Sequence, residues 1–313
     1  MAKSAKIRWV ADPELSAGHA AYVVATGAPC TDSKTEQLLV GPVTDINNRL
    51  LSSSIDVAIF WQHYLAGLLS GAEISEACAA ALILGGCSEL QVEQTGKAIS
   101  NRLSDARQAY TGRFPKLGEQ LELRARPLRE KWEAVGPGLL RDVERQVWDN
   151  SPPSGWWTSR LTVQLVQPMR GGDGGYAADD GKLWIEAMLT DVDPGVPEVL
   201  RVAWLITRIA IESHTRKKTG ELALGNAWSM VPVPLVLTAA ANLDLIRPNP
   251  LPIKRAMELW QRSDASTAET LAKWWNGFRQ SPTPLPVALQ QLDQLLEAAE
   301  LGTSPPSTDE EML

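Results

Sequence analysis

The sequence predicts a predominantly helical α+β protein, on three observations. Apolar residues recur at helical spacing through most of the chain. Only two stretches, SRLTVQLVQ and KLWIEAML, alternate convincingly as strands do. Glycine and proline divide the helical stretches at ordinary helix lengths, and no fixed period relates one helix to another, which argues against a solenoid.

Residues 1–35 contain Pro13, Gly18, Gly27 and Pro29 without a sustained period. They are expected to form an irregular arm, in which AAYVVAT is a candidate third strand. Residues 36–150 read as a helical region. Ile55, Ala58, Ile59, Leu65, Leu68 and Leu69 mark one helix closed by Gly71, and AEISEACAAALIL a second closed by Gly85 and Gly86. Ser88 with Gln91 has the spacing of a capping box for a long helix towards Tyr110. Pro127 should kink or divide the segment from Leu117 to Trp132, and Pro137 suits the first turn of a separate helix, GLLRDVERQVW.

The linker DNSPPSGWW opens an α+β region over residues 151–302. Leu161, Val163 and Leu165 alternate with Thr162, Gln164 and Val166, the pattern of a half-buried strand. RGGDGGYAADDG reads as a flexible hairpin connection to KLWIEAML, whose Leu183, Ile185 and Ala187 share one face and leave Glu186 on the other. The next helix has Pro197 and Glu198 in its first turn. Its apolar positions, Val199, Val202, Ala203, Ile206, Ile209 and Ala210 with Trp204 and Leu205 beside them, leave Arg201, Arg208 and Glu212 as a thin polar stripe. It is therefore expected to be a core helix. Four helical stretches follow, and the acidic segment 303–313 reads as a disordered tail.

Over residues 138–245 the order helix, strand, loop, strand, buried helix resembles the core of the zincin metallopeptidases. That resemblance implies a strand along a cleft beside a helix carrying HExxH. Here PEVLRVAWLITRIAIES holds no histidine, and its only acids are Glu198 and Glu212. The resemblance therefore implies a scaffold without the metal site.

Composition narrows the function classes further. A net charge of −7 disfavours binding nucleic acid through a general field. The three cysteines, Cys30, Cys78 and Cys87, form no CxxC pair and suit free thiols in a reducing compartment. No apolar run approaches the ~18 residues of a membrane span, and the N-terminus has no secretory h-region, so the expected location is cytoplasmic. His19, His63 and His214 lie outside helical ligand spacing of one another, and Asp173, Asp179, Asp180, Asp191 and Asp193 miss the DxDxDG register. Neither a metal nor another cofactor is expected. RGGDGG lacks GKS or GKT and runs from strand to strand, which a phosphate loop does not. The twelve tryptophans, against three Phe and four Tyr, follow no repeat and read as core.

These observations favour a non-enzymatic intracellular binding or assembly protein with a protein partner, and with neither nucleic acid nor membrane as its target. Trp184, Pro197, Arg201 and Trp204 are the residues expected to matter for structure or interaction. The alternative is a hydrolase using the carboxylates Glu186, Asp191 and Asp193 near the second strand.

Overall fold

Residues 1–35, expected to be an irregular arm, contain instead the first strand and the first helix of the fold. In the computed structural model, which describes residues 6–148, 151–219, 226–260, 265–281, 283 and 285–303, β1 spans Lys6–Ala11 and α1 spans Pro13–Ala25. Asp12 stops the strand and starts the helix: its carboxylate accepts the Leu15 N–H at 2.8 Å, and Pro13 occupies the first turn. AAYVVAT, the candidate strand, belongs to α1 and the turn after it. A capped helix start outweighs the strand preference of Tyr22, Val23 and Val24.

The predicted class stands, a predominantly helical α+β protein. β2 (Arg160–Val166), β3 (Gly174–Ala177) and β4 (Lys182–Glu186) join β1 in a sheet of order β1-β2-β4-β3. β1, β2 and β4 are parallel, and β3 runs antiparallel to β4 on the outer edge. The expected β2–β4 hairpin is thus replaced by a β3–β4 hairpin, and β2 and β4 become the two central strands. Central parallel strands are covered on both faces. This explains why Gln164 and Val166, placed by alternation on a polar face, are 8% and 0% exposed.

On one face of the sheet α1 and α3 (Val57–Ser70) bury Leu15, Leu65, Leu69, Val166 and Trp184 together. Gln164 is tied into that layer by donating from Nε2 to the Leu69 carbonyl at 3.3 Å. Elsewhere α6 (Leu117–Arg124) packs on β1 and β2 through its buried Leu117 and Leu121. The helical layer also contains α2 (Ser33–Ser52), α4 (Ile74–Leu84) and α5 (Glu89–Arg113). α5 begins where Ser88 predicts, yet Ser88 makes no side-chain cap bond. Pro127 divides the chain as expected, in the first turn of α7 (Arg126–Trp148). Pro137 does not start a new helix: α7 continues through it, at the cost of one helical hydrogen bond.

The chain forms two units that interleave in sequence, Met1–Pro137 with Trp157–Ile209, and Gly138–Trp156 with Ala210–Leu313. This replaces the expected division at residue 150. It follows from β1, which draws the N-terminus into the unit of β2 and β4. The helix after β4, α8 (Glu198–Thr219), begins in the first unit. The second unit holds α9 (Asn226–Met230), α10 (Pro232–Asn242), α11 (Ile253–Trp260), α12 (Ala265–Gln280) and α13 (Leu285–Thr303). Its core is fastened by indoles: Trp274 donates to the Ala288 carbonyl at 3.1 Å and Trp275 to Thr238 Oγ1 at 3.2 Å. No tryptophan is exposed; Trp9, Trp148, Trp157 and Trp228 are half-buried and the others buried, which places them in the core. Beyond Thr303, the acidic tail expected over 303–313 lies outside the described residues. No helix among the described residues is long and apolar enough to cross a membrane.

Candidate functional site

Ligands of open parallel sheets bind beyond the carboxyl ends of the strands, and here that edge carries a buried polar centre. Its middle is Glu186, the last residue of β4. Two positions from Trp184, it points to the sheet face covered by α1 and is 0% exposed.

Four donors converge on the Glu186 carboxylate. Oε1 accepts the backbone N–H groups of Met169 and Arg170, each at 2.7 Å, and Oε2 accepts that of Gly172 at 2.6 Å. His19 Nε2 lies 2.9 Å from Oε1. A carboxylate only accepts, so the His19 proton on that bond is on Nε2. Nδ1 of the same ring is buried without a hydrogen-bond partner, and Trp184 lies against it at 4.5 Å between ring centroids.

The loop that supplies three of these donors is RGGDGG with the two residues before it. Gly171 and Gly172 have φ of +81° and +103°, a region open to glycine, which lets consecutive amides turn towards one point. Thr31 holds the loop from outside, its N–H and hydroxyl both donating to the Met169 carbonyl. The loop therefore does gather backbone amides around an anion. The anion is the protein's own Glu186.

The charges respond accordingly. Burial alone would raise the pKa of Glu186, but the His19 hydrogen bond and charge, with the amides of Arg170 and Met169, outweigh it and hold the carboxyl below its usual range. Asp173, also buried, is pushed up by burial, opposed by His19 and reinforced by Glu186. Burial likewise raises Tyr22 and Cys30. A thiol raised in this way is a poor nucleophile. A buried carboxylate that already accepts four hydrogen bonds and is held in its ionised form is a weakened general base.

The other sequence-selected carboxylates serve elsewhere. Asp191 pairs with Lys131 at 2.9 Å and accepts the Glu198 N–H at 2.8 Å, capping the start of α8 beside the buried Pro197. Asp193 accepts the Gly195 N–H at 2.8 Å. These bonds do not join either one to Glu186. Among the described residues no three His, Cys, Asp or Glu side chains form a group able to hold a metal ion.

Trp184 and Trp204 are 5% and 2% exposed, as core residues should be. Arg201 departs from its assignment to a polar stripe: it is fully buried, and its Nε lies 2.8 Å from Glu198 Oε2, one turn earlier on α8. Arg208 is half-buried with its guanidinium over the rings of Tyr176 and Trp204. His19 was missed because it lies in the segment read as irregular. The signal available was DPEL, an acid cap followed by a first-turn proline.

A second feature lies at one end of the helical layer. The Asp56 N–H donates to the Gly85 carbonyl at 3.0 Å, which brings the end of α2 and start of α3 to the end of α4, one turn before α5. Around this junction Leu51, Ile83, Leu84 and Leu90 are 64%, 48%, 56% and 96% exposed, and Ile59 is exposed as well. The charged residues exposed beside them are Asp56, Glu89 and Glu93, with Arg49, paired with Asp45, two positions before Leu51.

Comparison of the chain with family models, with curated proteins and with solved structures finds no match.

Proposed function

We propose that the protein is a non-enzymatic intracellular binding or assembly module that takes a protein partner on the aliphatic end of its helical layer. The observation that carries this reading is the exposure of Leu51, Ile59, Ile83, Leu84 and Leu90 around one helix junction. Clustered exposed aliphatics of this kind are characteristic of interaction surfaces. Asp56, Glu89 and Glu93 at the rim favour a partner segment with an apolar face and basic flanks. The four hydrogen bonds accepted by Glu186 support the same reading, since the best-placed carboxylate is committed to the fold.

A photo-crosslinking amino acid at position 90, introduced in cells, tests the proposal. A defined protein adduct is expected, and Leu84→Glu should abolish it while leaving the melting temperature unchanged. The same adduct from a probe at Lys34, or an adduct indifferent to Leu84→Glu, overturns the proposal. Turnover of an ester or peptide substrate that is lost in Glu186→Gln would restore the hydrolase.

A further inference from the structure

In the second unit a half-open cavity of about 560 Å³ lies between the segment leading into α11 and one face of α12. That volume falls in the range of small-molecule sites, roughly 300–1,000 Å³. Pro250, Leu251 and Ile253 form an apolar wall, and Asn276, Arg279 and Gln280 a polar one. Asn276 and Gln280 stand four residues apart on α12, so their amides and the Arg279 guanidinium share one side of the helix.

Two features define the chemistry. None of the described lining residues is acidic, and every polar side chain among them can donate a hydrogen bond. Arg279 makes no ion pair or hydrogen bond with another described residue, unlike Arg102, Arg107, Arg113 and Arg126, each of which is paired with a carboxylate. We infer that this cavity binds a small organic anion: an apolar body against Pro250, Leu251 and Ile253, with a carboxylate, sulfonate or phosphate on Arg279. A planar guanidinium fork matches such an oxyanion in two places at once. The inference stands apart from the protein-docking surface proposed above, which is in the other unit.

Fluorescence titration of the full chain with 1-anilinonaphthalene-8-sulfonate, an apolar anion, provides the test, with N-phenyl-1-naphthylamine as its uncharged counterpart. Saturable binding of one sulfonate per chain is expected, at least about tenfold tighter than the neutral dye. Arg279→Ala should weaken the sulfonate by about the same factor and leave the neutral dye unaffected. Arg279 is exposed, so the variant should keep the parent melting temperature. Lys273→Ala, on α12 but off the cavity, is the control and should change nothing. Equal affinity for both dyes, insensitivity to Arg279→Ala, or loss of binding in Leu90→Glu instead would each overturn the inference.

Discussion

His19 on α1 and Glu186 at the end of β4 meet at 2.9 Å with both side chains fully buried, although 167 residues separate them in the chain. The pair joins the first helix to the last strand of the sheet. It also fixes the side of the sheet on which α1 lies.

Breaking this pair from one side leaves an uncompensated partner inside the protein. Glu186→Gln is expected to cost about 3–5 kcal/mol at neutral pH. The pH dependence has a definite sign. A carboxyl held below its usual range contributes stability that is complete above that range and is lost as pH falls through its lowered value. The variant should therefore lose less stability than the parent on acidification from about pH 5 to pH 3. Denaturant unfolding at about pH 7 and on down to about pH 3 measures both effects, and equal stability of variant and parent at neutral pH contradicts the anchoring role.

Gly172 should not tolerate a side chain. Its φ is +103°, and a methyl group there would come within 2.9 Å of Arg201 Nη2 and of Val192 Cγ2. Gly172→Ala is expected to destabilise by more than about 1 kcal/mol. Thermal melting would show it, and Gly155→Ala, also at positive φ but with open space around it, should cost less.

Arg201 and Trp204 should both be costly to replace. Trp204→Ala removes a side chain only 2% exposed and should cost about 3–5 kcal/mol. Arg201→Met should cost a similar amount, because it strands the Glu198 carboxylate, whose side chain is 4% exposed. Adding Glu198→Leu should recover much of that loss. A double-mutant cycle reads the coupling directly, and a double variant no better than Arg201→Met would show that the pair is not the source of the cost.

Purified protein should hold no stoichiometric transition metal, and chelation should leave its melting temperature unchanged. The basis is the absence, among the described residues, of any group of three His, Cys, Asp or Glu side chains able to hold an ion. Elemental analysis giving about one zinc per chain would reverse this expectation.

The helices and central strands were readable because each carries its own pattern in one short window. Val199 to Ala210 mark the core face of α8 without reference to anything else in the chain. β1 was not readable in that way. KIRWVA is a mixed strand of six residues whose role depends on pairing with β2. The same limit explains Glu186: strand alternation gives its face, but not that α1 covers that face. Arg201 shows the converse failure. Its place in the polar stripe followed from residue type alone, whereas Glu198 one turn away is the partner that lets it be buried.

The pairing of Lys6 with Arg160 has a consequence during synthesis. At ribosomal rates of about 5–20 residues per second, the 154 residues from Ile7 to Arg160 take roughly 8–30 seconds to make. For that interval β1 exists without the strand it pairs with, offering free backbone groups to any other nascent chain. Lys6 and Arg8 alternate with Ile7 and Trp9, so the waiting segment carries charge at its first and third positions. Such charges keep like segments apart, and Lys6→Val with Arg8→Val should raise aggregation during expression far more than it alters the stability of the finished fold.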